Sequence, residues 1–260
     1  MAELNVNFDN LHLYIFVFVR MAAIIVLNPV FSRQSIPAVA KTGLIALLTI
    51  IITPYIEVPA LTTTMIDFLI CIAKEFFIGF LLTFVFNIYY YMLMFAADLM
   101  DTQFGLSMAK MMNPQTNIQS ATTGNLLNVV FMLYFFVTNS HLVLIGTAVG
   151  SYEAVPAGLT AIDIMGSCTF VIELFSSVFV LALRLALPYA AAEFVLELCL
   201  GLLMKLVPQI HAFVIHMQGK IILGLILLLA LSIPMTNFID NYITKMLGSM
   251  NQALGSLIVR

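Results

Sequence analysis

The feature that most constrains this chain is a series of long apolar stretches with very few charges. Six of them follow one another, and they cover about residues 11–31, 42–56, 68–97, 126–149, 170–204 and 221–239. Hydrophobic residues make up 62% of the sequence and charged residues only 9%, whereas soluble domains carry roughly 25% charged residues. Such a composition cannot form an ordinary water-facing surface, so the sequence predicts an integral membrane protein with several spans.

The apolar stretches are predicted to be helical. Lipid offers no partner to backbone N–H and C=O groups, and only helices or closed barrels satisfy these groups internally. Barrel strands would alternate polar and apolar residues, and these stretches do not. The sequence therefore predicts an all-α protein with one domain over residues 1–260. Six proline-containing pairs bias their first residue away from helix: Asn28-Pro29, Ile36-Pro37, Thr53-Pro54, Val58-Pro59, Asn113-Pro114 and Val155-Pro156.

Enzymatic and nucleic-acid functions find little support in the sequence. The net charge is −3, so there is no basic surface for nucleic acid. The sequence contains no G-x-S-x-G, H-E-x-x-H or P-loop motif. His211 and His216 are five residues apart, which makes a poor metal-ligand pair on a helix, and no catalytic context surrounds Asp98 and Asp101. We therefore expect no catalysis, no cofactor and no metal.

Several charges lie inside the apolar stretches. A charge at mid-membrane costs about 2.5–3.5 kcal/mol on insertion scales, so it usually faces protein or water. Structural pairing with another helix or subunit is one interpretation, a proton or ion pathway is a second, and anchoring at the membrane interface is a third. Buried contacts between helices or subunits are accordingly predicted for Arg20, Lys74, Glu75, Glu173, Arg184, Glu193 and Glu197.

The segment from Asp98 to Asn125 is amphiphilic and rich in methionine. Unbranched thioether side chains adapt to varied neighbours, which would suit a pliable seal, although methionines near a helix end also serve as ordinary packing. Gly105 and Gly124 permit tight backbone turns. Polar, non-helical backbone at membrane depth is tolerated only beside protein or a water-filled cavity. If this segment is buried, we expect it to line such a cavity.

An ordered set of short motifs resembles one family, the FliR proteins of flagellar and virulence-type secretion systems. In the N-terminal part the set comprises Phe18-x-Arg20, Pro29-Val30-Phe31, Ile36-Pro37, Lys41, Gly43, Glu75 with Gly79, Gly105, Asn113-Pro114-Gln115 and Asn139-x-His141. In the C-terminal part it comprises Leu185-Ala186-Leu187-Pro188, Gly201, Lys205, Pro208-Gln209, Phe213 and Lys220-x-x-x-Gly224. Each motif is weak evidence alone, but together they occur in the family's order and extend over nearly the whole chain.

This resemblance implies a non-enzymatic subunit of a type III export gate in the bacterial cytoplasmic (inner) membrane, within the flagellar basal body. It implies bent helical hairpins that pack in a helical ring with FliP-like and FliQ-like subunits, contacts with FlhB-like and FlhA-like proteins, and unfolded secreted proteins as cargo. It also implies a plug in the axial pore over residues 105–122. The plug residues expected here are Gly105, Leu106, Met108, Met111, Met112, Asn113, Pro114 and Gln115.

Three alternatives remain open. An injectisome homologue would share the mechanism and differ in its cargo. A secondary transporter or ion channel would use Glu193, Glu197 and Arg20 as its site and would be active alone in liposomes. A purely structural scaffold would tolerate changes at Asn113-Pro114 without any effect on export or leakage.

Overall fold

A computed structural model describes residues 11–33, 36–56, 65–106, 122–158, 161–206 and 212–258, with backbone only for residues 212–215. These residues form eight α-helices and one short 3-10 helix, Thr53–Tyr55. The α-helices are α1 (Leu11–Val26), α2 (Ala38–Ile52), α3 (Met65–Gln103), α4 (Thr122–Val137), α5 (Ser140–Ala154), α6 (Ile164–Leu206), α7 (Ala212–Ala230) and α8 (Ser232–Ser256). The prediction of an all-α protein is confirmed.

Three helical segments of the described chain are long and apolar enough to cross a membrane. They are α2 with its 3-10 extension, α3 and α6. Two broken helix pairs, α4 with α5 and α7 with α8, raise the number to as many as five if each pair is one span. Helix α1 is apolar but has 16 residues, fewer than the roughly 20 that a bilayer requires. The chain is thus an all-α membrane protein.

Proline sets several helix ends where the sequence predicts them. Helix α1 ends before Asn28-Pro29, and α2 begins directly after Pro37. The α-helical part of α2 ends before Pro54, and α5 ends before Val155-Pro156, with Val155 in an extended conformation. Proline lacks an N–H and restricts the residue before it, so a helix cannot continue through these pairs. Val58-Pro59 and Asn113-Pro114 lie outside the described residues.

Two of the expected apolar stretches are each divided between two helices. Residues 126–149 are interrupted at Asn139, whose φ is +57°; this left-handed conformation stops a helix, and asparagine tolerates it better than most residues. Residues 221–239 are interrupted at Leu231. Pro234 lies three residues later, in the first turn of α8, where its missing N–H leaves no helical bond unmade.

One compact unit comprises Met1–Tyr89, Asn139–Phe175 and Thr244–Arg260. In it, α1 packs against α2 and buries Phe16, Val17 and Met21. The backbones of α1 and α3 approach closely at Gly79. A Cβ atom on Gly79 would lie 2.6 Å from the carbonyl oxygen of Arg20 and 2.8 Å from the Cβ of Ala23, so only glycine fits this crossing.

The other compact unit comprises Tyr90–Thr138 and Ser176–Ile243. Aromatic side chains dominate its packing. Phe131 and Phe135 stack with ring centroids 6.1 Å apart, and Phe95 of α3 stacks on Phe179 of α6 at 5.8 Å. Its core cluster is formed by Met100, Phe104, Ala186 and Tyr189, with Leu99, Leu106, Leu227, Leu228 and Leu231 packed around it.

Candidate functional site

Arg20 is the largest of the fully buried side chains in the described structure, with no exposed surface. Its Nε donates a hydrogen bond to Oε2 of Glu75 at 2.6 Å. Nη1 donates to the carbonyl oxygen of Ser151 at 2.9 Å and to its Oγ at 3.1 Å, and Nη2 donates to the carbonyl oxygen of Val155 at 3.0 Å. The Tyr152 ring lies 4.0 Å from the guanidinium carbon, a favourable cation–π distance.

Glu75, also fully buried, completes this arrangement. Its Oε1 accepts a hydrogen bond from the backbone N–H of Gly158 at 3.2 Å. Arg20 lies on α1, Glu75 on α3, and their other partners at the end of α5 and in the turn that follows. Each charge is therefore neutralised and hydrogen-bonded, as a charge in an apolar interior must be. The arrangement joins three separate parts of the chain.

A second group of charges lies in the other unit, on α6 and α7. Glu193 is fully buried, whereas Glu197, one helical turn further on, is exposed and accepts a hydrogen bond from Nζ of Lys220. Nε2 of His216 lies 4.0 Å from Oε1 of Glu197. Glu197 was expected to be buried and is exposed on this chain, because it lies on the open side of α6, and Lys220 was considered only as part of a family motif.

The remaining predicted charges differ in exposure. Lys74 is partly buried, while Glu173 and Arg184 are exposed on this chain. Contacts of these residues with other subunits stay a prediction, because the structure contains one chain. Within the described residues, no group of three or more His, Cys, Asp and Glu side chains is placed to hold a metal ion.

The two ends of the central polar segment are held by named contacts. Oδ1 of the buried Asp101, near the end of α3, accepts a hydrogen bond from the backbone N–H of Thr123 at 3.0 Å. Thr123 is in the first turn of α4, where backbone N–H groups have no partner within the helix and a carboxylate is favoured by the helix dipole. The segment therefore leaves and re-enters the fold at neighbouring points.

Phe104 fixes the start of this segment in the core. Its ring packs edge-on against Tyr189, with centroids 6.0 Å apart. Helix α7 approaches the same ring at Gly224, where a Cβ atom would lie 2.6 Å from Phe104 Cδ1. Gly105 follows with φ of +73°, the left-handed conformation that glycine adopts readily at helix ends.

The predicted plug residues fall mostly outside this description. Gly105 and Leu106 are described, and Leu106 packs against the core cluster. Met108, Met111, Met112, Asn113, Pro114 and Gln115 lie outside the described residues. A plugging role for all eight stays a prediction.

Long apolar helices, with the Arg20–Glu75 ion pair buried between them, define the class of protein as an all-α membrane protein. Comparison with known proteins gives the family. The family model described as "Bacterial export proteins, family 1" matches residues 11–246, and the chain belongs to this family. The resemblance to FliR proteins deduced from the ordered motifs is thereby confirmed.

Similar proteins cover most of the chain. It is 26% identical to the flagellar biosynthetic protein FliR of Escherichia coli over 249 residues, which is 95% of this chain and 94% of that protein. It is 26% identical to the FliR protein of Bacillus subtilis over 83% of this chain and 84% of that protein. The Yop proteins translocation protein T of Yersinia pestis is 30% identical over 80% of this chain and 81% of its own length.

Proposed function

We propose that this chain is a non-enzymatic subunit of the flagellar type III export gate in the bacterial cytoplasmic membrane. In this proposal it helps to form and plug the axial pore through which unfolded flagellar proteins are secreted. The observation that carries the proposal is the family match over residues 11–246, together with relatives named flagellar biosynthetic protein FliR that align over most of their own length.

The contacts at the ends of the central segment support the plug. The Asp101–Thr123 hydrogen bond holds the end of α3 and the start of α4 together, and the Phe104 ring fixes the end of α3 in the core. Within residues 105–122, Lys110 is the one charged residue. Methionine, asparagine and glutamine side chains would close a pore against ions and then yield to an arriving polypeptide, because such side chains repack at low cost.

Exposed apolar side chains support assembly with partners or contact with lipid. Every described α-helix has large hydrophobic residues exposed on the side that does not pack against other helices. Examples are Ile66, Val129, Ile172 and Leu229. Contiguous exposed apolar surface marks an interaction or membrane surface. We assign these faces to lipid and to FliP-like, FliQ-like, FlhB-like and FlhA-like partners.

An injectisome role is the second candidate. The 30% identity to Yop proteins translocation protein T favours it over the transporter and scaffold alternatives. Complementation separates the two roles: a flagellar subunit restores motility to a flagellar mutant that lacks its own FliR protein, whereas an injectisome subunit does not.

Co-expression of the tagged chain with its FliP-like and FliQ-like neighbours tests the proposal. We expect a stable hetero-oligomer in mild detergent that contains one copy of this chain, measured by native mass spectrometry. The matched control is the tagged chain expressed without these neighbours. A chain that purifies alone or as a homodimer beside uncomplexed neighbours would contradict the proposal and favour the transporter reading.

Replacement of residues 107–121 by a short Gly-Ser linker tests the plug. Because Asp101 and Thr123 are already in contact, the linker need not strain the fold. We expect the assembled complex to leak ions at a rate at least severalfold above wild type, measured by membrane conductance or by dye-reported ion flux. A Gly-Ser sequence of the original length should leak as well, since it lacks the sealing side chains. If both variants leak ions no faster than wild type, a plug formed by these residues is excluded.

A further inference from the structure

The charges on α6 and α7 form a cluster that the proposed pore and plug do not use. Glu197 has 42% of its side chain exposed and Lys220 has 14%, and the two form an ion pair. The ammonium group of Lys220 donates a hydrogen bond to the carboxylate of Glu197. The His216 ring nitrogen, 4.0 Å from the same carboxylate, is too far for a hydrogen bond. The exposed carboxylate is thus paired by a single lysine.

Glu193 in the same cluster has no comparable pairing. Its side chain is fully buried, and neither of its carboxylate oxygens has a hydrogen-bond partner within the described ranges. The charges of Lys220 and Glu197 both act on it. Buried carboxylates are normally paired and hydrogen-bonded, because desolvation of an isolated one is very costly. Two carboxyl groups therefore lie beside one ammonium group, and the buried one, Glu193, has no cation of its own among the described residues.

The surface around Glu197 is apolar. Phe194 is 58% exposed, and Leu198 is 54% exposed. A charged group beside lipid is unfavourable, so such groups usually face protein or water. A protein surface that is apolar and carries one cation would satisfy both the hydrophobic side chains and the missing charge.

We propose that this face of α6 and α7 is a docking site for an apolar helix of a partner subunit that presents one lysine or arginine. The partner's cation pairs with Glu197 from the exposed side. Lys220 then moves by one helical turn, about 6 Å, to Glu193, a shift that its flexible four-carbon stem permits. Two carboxylates and two cations remain, and every charge is paired. The inference rests on the proposed function, since the partner is sought among the gate subunits.

Two variants in the co-expressed complex test the docking site. Glu197→Lys combined with Lys220→Glu preserves the internal ion pair and the net charge, but it places a cation where the partner's cation should bind. Glu193→Gln removes the buried carboxylate without a change of shape. We expect at least a tenfold loss of co-purified partner for the first variant and a severalfold loss for the second. Lys205→Gln, which neutralises an exposed lysine in the last turn of the same helix, serves as the control and should stay within twofold of wild type.

The outcomes separate this inference from the function on which it rests. Wild-type partner yield in the charge-swapped variant would show that the pair serves this chain alone, and the docking site would be excluded. If the swapped chain fails to accumulate in the membrane, Glu193→Gln decides: a normal yield excludes the site and a reduced yield supports it. If the wild-type chain itself recovers no partner, or only a second copy of itself, the proposed function fails and the docking site fails with it.

Discussion

Arg20→Ala is expected to destabilise this chain by about 3–5 kcal/mol, because it leaves the Glu75 carboxylate buried without its counter-charge. The carbonyl oxygen of Val155 would lose its donor in the same step, and that of Ser151 would keep only the backbone N–H of Val155. Reversible unfolding in mixed detergent micelles measures the change in the free energy of unfolding. Glu75→Ala should have a similar effect, since it strands the guanidinium.

The matched control replaces both charges together. Arg20→Met with Glu75→Leu removes the pair and leaves apolar side chains of similar size, a change that is often neutral or stabilising at buried ion pairs. Here we expect it to restore part of the loss and no more, because the Val155 carbonyl and the Gly158 N–H lose their partners at about 1–3 kcal/mol each, whereas the Ser151 carbonyl still accepts from the Val155 N–H. A loss below about 1 kcal/mol for Arg20→Ala would contradict the structural role of the cluster.

Gly79→Ala is expected to destabilise the chain by about 1–3 kcal/mol, the usual cost of an overpacked contact. The new methyl group would lie 2.6 Å from the backbone oxygen of Arg20, and a backbone atom within a helix cannot move aside cheaply. Gly43→Ala in α2 is the control: a Cβ there meets nothing within 4 Å, so it should stabilise the helix by about 0.5–1 kcal/mol. The same unfolding measurement compares both. Equal behaviour of the two variants would exclude close contact between α1 and α3.

The helical content followed from the sequence because apolar stretches in lipid have no alternative to helices, and prolines mark several of their ends. The helix interruptions at Asn139 and Leu231 were not predicted from the sequence. Asn139 was noted as part of a family motif, but a left-handed conformation at one asparagine has no distinctive signal in a single sequence. The pair Ile233-Pro234 was an available signal for the second break, and its position inside an apolar stretch concealed it.

The charge partners were only partly predictable. The spacing of Glu193 and Glu197 places them on one face of a helix, and burial of Arg20 follows from its position in an apolar stretch. That Arg20 meets Glu75, 55 residues away, and Ser151, 131 residues away, depends on how α1, α3 and α5 pack. No local pattern specifies such packing. For the central segment, composition alone suggested a seal. The contacts of Asp101 and Phe104 that hold its ends could be seen only in the folded structure.

The wide sequence separation within the Arg20 cluster also sets an order for the synthesis of the chain. A ribosome delivers Arg20 long before Glu75, and Gly158 comes later still, so the early part of the nascent chain carries a cation whose partners do not yet exist. The first helix cannot settle in its final environment until the third is made, and the pair is not fully hydrogen-bonded until the fifth has followed. Completion of this one cluster therefore marks the moment at which α1, α3 and α5 can pack together, and a chain halted before residue 158 would keep unpaired polar groups accessible to the chaperones and proteases of the membrane.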